Sequence, residues 1–195
     1  MISEILLVIF AYLLGSVPTG YLLGYFSGVD VRKAGSGNVG ATNVARVAGK
    51  KLGLLTLLGD AAKGMIPVYL ARKLGMDVDI VAFAALAAFL GHLYPLFLRF
   101  QGGKGVATAL GALLVLTPAA TGASLLVFLT VIAATRIVSL ASMIAAAAAP
   151  VAVWLLGYPP IVIGLTVAMA LLIIWRHQHN IHRLMSGAEP KFSSK

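Results

Sequence analysis

Cysteine is absent from this 195-residue sequence. Disulfides, a thiolate metal site and a thiol nucleophile are therefore excluded. Charge is nearly as scarce. Asp, Glu, Lys and Arg make up 11% of the chain, against about 25% in a soluble domain. Acids are scarcest of all, with six against fifteen Lys and Arg, so chemistry built on paired carboxylates has almost no material. A cleaved secretory leader is not expected either. Met1-Ile2-Ser3-Glu4 carries an acid and no base, and no small-residue cleavage site follows the first apolar stretch. No internal duplication is visible, which leaves an inverted-repeat transporter without support. Nothing divides the chain, and residues 1–195 are expected to form a single integral membrane domain.

What is present is hydrocarbon. The chain is 60% apolar with a mean hydropathy of +0.98. No soluble core in so short a chain hides that much apolar surface, so the solvent is lipid. A hydrocarbon layer about 30 Å thick needs about 20 helical residues to cross it. The runs 5–26, 52–71, 79–98, 105–117, 119–135, 137–157 and 160–176 predict an all-α polytopic protein of about seven transmembrane helices. The run 105–117 is short by itself and must borrow from the loop before it, or that loop dips into the membrane. Gly20, Gly24 and Gly28 repeat every fourth residue and read as a close helix contact of the small-xxx-small kind. The alanine-rich run Ala141 to Ala149 reads the same way.

Charge orients these spans. The loop 27–51 carries Arg32, Lys33, Arg46, Lys50 and Lys51 against Asp30 alone. Arg99, Lys104, Arg136 and the tail residues Arg176, Arg183, Lys191 and Lys195 fall on the same side. By the positive-inside rule the N-terminus is outside and the C-terminus cytoplasmic. The net charge of +9 then reflects topology and contact with anionic lipid rather than nucleic acid.

Four segments on that cytoplasmic face are unusual for loops. The first is Gly35-Ser36-Gly37-Asn38-Val39-Gly40-Ala41-Thr42-Asn43, followed by Arg46. It contains G-x-G-x-x-G, but no strand precedes it and no βαβ unit surrounds it, so a dinucleotide site is not indicated. Glycine-rich backbone before a helix still suits an anion; the plain alternative is a flexible turn. Gln101-Gly102-Gly103-Lys104-Gly105 is the second. It lacks Walker A spacing, yet glycines around one lysine suit phosphate, or mark a topological lysine. Third, Arg136 to Ser142 puts Ser139 and Ser142 on one helix face. Fourth, Trp175 to Arg183 brings His177 and Asn180 into helical register. It reads either as part of a site or as an interfacial anchor and basic tail. Its three histidines have no clustered carboxylate beside them, and no metal site is expected. Separately, Asp60 and Lys63 lie inside the second span. Such groups are costly there; an i, i+3 ion pair is the first reading and substrate contact the second.

No serine occupies G-x-S-x-G. A site of cations, amides and hydroxyls stabilises phosphate and developing oxyanions, and it needs a substrate that arrives activated. At a lipid interface, this describes a membrane enzyme acting on a phosphate-bearing lipid precursor. An organic-anion carrier and a polyprenyl-phosphate enzyme are the alternatives. The first would need a polar file to the outer face, and the second a metal or carboxylate cluster.

Five segments together carry a resemblance: Gly15 to Leu22, Gly35 to Asn43, Gly91-His92 through Gly105, Arg136 to Ser142, and Arg176-His177 with Asn180-Ile181. In this order, from about residue 12 to residue 191, the chain resembles the bacterial acyl-phosphate:glycerol-3-phosphate acyltransferases, the PlsY family. It departs at Val39, where the family often has Pro, and at Gln101, where it often has Lys. The resemblance implies acyl transfer from acyl phosphate to the sn-1 hydroxyl of glycerol 3-phosphate, with no cofactor. The products would be 1-acylglycerol 3-phosphate (lysophosphatidic acid) and phosphate. It implies a multi-pass enzyme of the bacterial inner membrane, acting as a monomer from the cytoplasmic side. Lys104, His177 and Asn180 are then the expected catalytic residues. Ser36, Gly37, Asn38, Thr42, Asn43, Gly102 and Gly103 would cradle the donor headgroup. Arg46, Ser139 and Ser142 would join His177 and Asn180 in holding glycerol 3-phosphate. His177 acts as base or as phosphate holder, and a substrate phosphate oxygen is the other proton acceptor. The His-x4-Asp pattern of acyl-CoA-dependent enzymes is absent: Phe97 follows His92 at that offset and His182 follows His177.

Overall fold

The computed structural model describes residues 1–192; Lys195, assigned above to the cytoplasmic tail, lies outside them. All regular structure among the described residues is helical. The chain divides at Leu116/Thr117 into two compact units.

The first unit opens with α1 (Ile2–Gly15) and α2 (Thr19–Phe26). Pro18 has no N–H to continue the ladder, so the first apolar run is one path broken in the middle. A loop and α3 (Ala41–Ala48) lead into α4 (Lys50–Lys73), α5 (Val78–Leu93), a 3₁₀ turn (Leu96–Leu98) and α6 (Val106–Leu116). The loop between α2 and α3 is folded. Val31, Val39 and Val44 form a small buried core, with Tyr21, Leu52 and Leu98 packed on it. This revises the reading of Gly20, Gly24 and Gly28. A Cβ at Gly20 would lie 2.0 Å from the Val39 carbonyl oxygen, and one at Gly24 2.6 Å from Cγ1 of Val31. These two glycines admit the loop first of all, and Gly28 lies beyond the helix. True helix contacts of this type occur elsewhere. A Cβ at Gly111 of α6 would meet the Ala61 carbonyl of α4 at 1.9 Å, and one at Gly15 of α1 the Ala88 carbonyl of α5 at 2.1 Å.

The second unit comprises α7 (Pro118–Thr135), α8 (Val138–Leu155), α9 (Pro160–Arg176) and α10 (Gln178–Met185). Arg136, in the left-handed conformation, separates α7 from α8. The α9 and α10 axes differ by 57° at His177.

Leu6, Leu58, Leu126 and Leu171 are among many large apolar side chains that face outward, the arrangement that lipid requires. Five helical segments are long and apolar enough to cross a membrane: Ile2–Phe26, Lys50–Lys73, Val78–Leu98, Pro118–Thr135 and Val138–Leu155. The bent pair Pro160–Arg176 and Gln178–Met185 makes a sixth if it counts as one span. α6 has 11 residues and reaches only about 16 Å at 1.5 Å per residue.

Candidate active site

In the first unit, the glycine-rich loop is organised by one side chain. Asn43, 3% exposed, donates through Nδ2 to the carbonyls of Val31 (3.0 Å), Ala34 (3.1 Å) and Asn38 (2.8 Å). Its Oδ1 accepts from the Ser36 amide at 2.8 Å. A carboxamide has two N–H groups and an oxygen with two lone pairs, so these bonds use both N–H groups and one lone pair, and they make Asn43 the keystone of the loop. The Gly40 amide donates to Oδ1 of Asn38 at 2.7 Å, and the Gly37 amide to the Ala34 carbonyl. The expected cradle of free amides is therefore largely engaged within the loop. Gly35 is required: its φ is +61°, and a Cβ there would lie 2.3 Å from Oδ1 of Asn43. The groups still turned outward are side chains. Ser36 is exposed, Asn38 half-buried, and Thr42 and Arg46 are exposed four residues apart on α3.

The second loop follows the same logic. The Gly102 amide donates to the Leu93 carbonyl at 3.2 Å and the Gly103 amide to that of His92 at 3.1 Å. Both amides are thus paired within the protein. Gly102 and Gly103 are glycine because the last turn of α5 lies against them. A Cβ at Gly102 would approach the His92 carbonyl oxygen to 2.1 Å, and one at Gly103 would approach Nε2 of His92 to 2.1 Å. Arg99 and Phe100 enter this loop in the left-handed region, at φ 51° and 63°, a costly conformation outside glycine. Lys104 is half-buried just before α6.

Asp60, Lys63 and His92 lie behind these loops at 2%, 5% and 5% exposure. Asp60 and Lys63 form the expected ion pair, Nζ to Oδ1 at 2.9 Å. Lys63 also donates to the Val17 carbonyl at 2.8 Å, an acceptor beside the Pro18 break. Nδ1 of His92 is 3.6 Å from Oδ1 of Asp60.

The second unit holds the other group of candidates. Ser139, Ser142, His177 and Asn180 are all buried. Ser142 bonds back to the Val138 carbonyl at 2.8 Å. Nδ1 of His177 is 2.7 Å from the Ile173 carbonyl oxygen, so Nδ1 carries the hydrogen and Nε2 of the neutral ring is the acceptor. Ser139 and Asn180 converge on a residue that the sequence reading passed over. Oε1 of Glu189 accepts from Oγ of Ser139 at 2.7 Å and from Nδ2 of Asn180 at 2.5 Å. Oε2 of Glu189 accepts from Nε of Arg183 at 2.7 Å. Ser139 and Asn180 thereby hold the tail through Glu189. Burial raises the Glu189 pKa, but the bonds from Ser139, Asn180 and Arg183 outweigh it and hold the carboxyl below the usual range. The Phe192 amide extends the clasp by donating to the Arg136 carbonyl at 2.6 Å. One acid in a basic tail was the available signal.

Elsewhere, Arg32 grips Asp30 through two guanidinium bonds, 3.0 and 3.1 Å long. That contact keeps the Asp30 carboxyl below its ordinary pKa. Among the described residues, no three His, Asp or Glu side chains converge as metal ligands.

The first unit holds ammonium, guanidinium and hydroxyl side chains and the second hydroxyl, imidazole and carboxamide side chains, each set suited to phosphate or to an oxyanion. The glycerol-3-phosphate acyltransferase family model matches residues 5–187. A glycerol-3-phosphate acyltransferase of Geobacter metallireducens is 55% identical over 195 residues, covering 100% of both chains. One from Aquifex aeolicus is 47% identical over 97% of this chain and 100% of its own. The crystal structure of PlsY (YgiH), an integral membrane glycerol 3-phosphate acyltransferase, in its glycerol 3-phosphate form, superposes with a TM-score of 0.95 at 46% identity. It covers 98% of this chain and 96% of its own. Its lysophosphatidic acid form gives 0.91 at 45%. The chain is thus a member of the glycerol-3-phosphate acyltransferase family and an integral membrane protein.

Proposed function

We propose that this acyltransferase takes its acyl group from an acyl phosphate and places it on the sn-1 hydroxyl of glycerol 3-phosphate. The hydroxyl oxygen attacks the acyl carbonyl carbon. The bond from that carbon to the phosphate oxygen breaks, and inorganic phosphate leaves with 1-acylglycerol 3-phosphate as the other product. The hydroxyl proton goes to Nε2 of His177 or to a phosphate oxygen.

The observation that carries this reading is the side-chain inventory: cations, hydroxyls and an imidazole, while among the described residues the buried Asp60 is taken up by Lys63 and Glu189 by Ser139, Asn180 and Arg183. Such a site stabilises charge but does little to activate an inert donor, so the donor brings its own leaving group. A mixed anhydride with phosphate meets that need. The related enzyme is described in glycerol 3-phosphate and lysophosphatidic acid forms, which supports the acceptor and the product.

In this mechanism Lys104 neutralises the departing phosphate, with Ser36, Asn38 and Thr42 as hydrogen-bonding partners of the donor. Ser142, His177 and Asn180 hold the acceptor, and Arg46 supplies a guanidinium for its phosphate. The enzyme acts as a monomer in the bacterial inner membrane, with seven spans, the N-terminus outside, and the C-terminus and site on the cytoplasmic side. Twelve of its fifteen basic residues lie on the face so assigned, which supports that orientation.

Phosphate release by purified protein tests the reaction. The protein is incubated with palmitoyl phosphate, with and without glycerol 3-phosphate, in the absence of added metal. Release that depends on glycerol 3-phosphate, with lysophosphatidic acid as co-product, is expected. No release from folded protein would return the anion-carrier reading and call for transport assays in liposomes.

A further inference from the structure

Three ionisable side chains buried in a membrane protein demand a reason. An Asp60–Lys63 pair alone would satisfy itself. His92 joins it, and His92 is also the residue against which the lysine loop rests. We propose that His92 is a positioning residue for Lys104, anchored through Asp60 and Lys63 to the break between α1 and α2. This extends the reading in which Lys104 meets the donor phosphate, and rests on it.

The path is continuous in the first unit. The Val17 carbonyl beside the Pro18 break accepts from Nζ of Lys63 at 2.8 Å. Lys63 contacts Oδ1 of Asp60 at 2.9 Å, and the same oxygen is 3.6 Å from Nδ1 of His92. Charge on Asp60 thus sets which edge of the imidazole turns inward. The opposite edge faces the loop, where a Cβ at Gly103 would come within 2.1 Å of Nε2. The backbone of the same residue receives the Gly103 amide at 3.1 Å. His92 therefore holds Gly103 from two sides, by its carbonyl and by its ring, and Lys104 is the next residue. Two left-handed residues, Arg99 and Phe100, lie upstream in this loop. Such conformations persist only where the surroundings over-determine them; the amides of Arg99 and Phe100 bond the carbonyls of Leu96 and Pro95, and those of Gly102 and Gly103 tie the loop to the end of α5. Asp60, Lys63 and His92 need not touch substrate. They register the ammonium of Lys104 relative to α4 and α5.

The test uses the full chain in detergent, with two readouts. One is kcat and KM for each substrate. The other is the rate at which an amine-reactive reagent modifies Lys104, followed by peptide mass spectrometry. His92→Leu keeps bulk and loses the ring nitrogen that lies 3.6 Å from Asp60; His92→Asn keeps a polar group on that edge. Gly103→Ala displaces the ring directly, and His92→Ala/Gly103→Ala removes the clash. His92→Leu is expected to lower kcat at least tenfold with KM for glycerol 3-phosphate within twofold. It should change the Lys104 modification rate at least threefold without loss of folded protein. His92→Asn recovers part of both. The double variant is no worse than His92→Ala alone, because the two changes act on one contact. Wild-type modification of Lys104 in folded His92→Leu or Gly103→Ala protein overturns the proposal. So do losses that multiply independently in the double variant. If the wild type transfers no acyl group, the donor reading fails, while the modification rates still decide the positioning role.

Discussion

Glu189→Ala isolates the clasp that holds the tail in the second unit. Its cost follows from what each donor can do without the carboxylate. Asn180 is 6% exposed and bonds a charged acceptor at 2.5 Å. Losing a hydrogen bond to a charged group costs about 1.5–3 kcal/mol, and more of that range applies when the donor stays buried. Arg183 keeps 37% of its side chain exposed, so water takes over and the loss is about 0.5–1 kcal/mol. Ser139 is the second residue of α8, so no turn of the helix precedes it, and its lost bond counts for about 0.5–1.5 kcal/mol. The expected total is about 2.5–5.5 kcal/mol. For a chain of this size that lowers the unfolding midpoint by about 5–20 °C. Glu189→Gln keeps one acceptor and loses the charge, and should fall between the two. The assays are thermal unfolding in detergent and protease cleavage after Met185. A Glu189→Ala protein with the wild-type midpoint and cleavage pattern would show that the clasp carries no weight. Acid provides an independent check. The folded pKa of Glu189 is depressed, so its stabilisation is complete above the ordinary glutamate pKa of about 4.3. It is lost as pH falls through the lower folded value. Tail cleavage should rise over that window and not between pH 6 and 8. With only six acids in the chain, few other carboxylates compete.

Four further outcomes follow from the site. Lys104→Ala should lose nearly all turnover while still inserting and folding; wild-type turnover would remove Lys104 from the chemistry. His177→Gln separates base from holder. If it keeps much of the rate, the phosphate oxygen takes the proton, and if it loses more than about 100-fold, Nε2 does. Asn43→Ala leaves several buried carbonyls without a donor. It should cost about 2–3 kcal/mol and open the segment 31–40 to protease, whereas an unchanged cleavage pattern would return Asn43 to the role of a ligand. Asp60→Asn should lower the yield of folded protein more than it changes either Michaelis constant, and the reverse would put Asp60 against substrate.

The limits of the sequence are physical. The all-helical, membrane-embedded class was legible because lipid leaves few options: backbone groups must be paired within the segment; the run 5–26 nevertheless breaks at Pro18, and five segments, or six with the bent pair, are long and apolar enough to cross. The Asp60–Lys63 pair was legible because i, i+3 spacing places both on one helix face. Partners distant along the chain were not. Nothing local announces that Asn43 bonds the carbonyls of Val31 and Ala34, that His92 reaches Asp60, or that Glu189 receives Asn180. The Gly20-Gly24-Gly28 spacing was visible and its use was not, because a close approach by a loop and one by a helix require the same absence of Cβ.

The glycine loops illustrate why motif and mechanism part company. Glycine near lysine suggests amides turned toward phosphate. Yet the amides of Ser36, Gly37, Gly40, Gly102 and Gly103 all have acceptors within the protein. A loop in a low-dielectric setting cannot leave its amides unpaired between turnovers without a desolvation penalty. Pairing them internally makes the loops rigid and assigns phosphate recognition to side chains. In the proposed mechanism charge neutralisation falls on Lys104 and Arg46, and acyl transfer should weaken with added salt more steeply than an amide-lined site would. It also makes the loops intolerant of change from behind. A methyl group at Gly103 meets no substrate, only the ring of His92, and its effect on turnover measures how closely the lysine must be held.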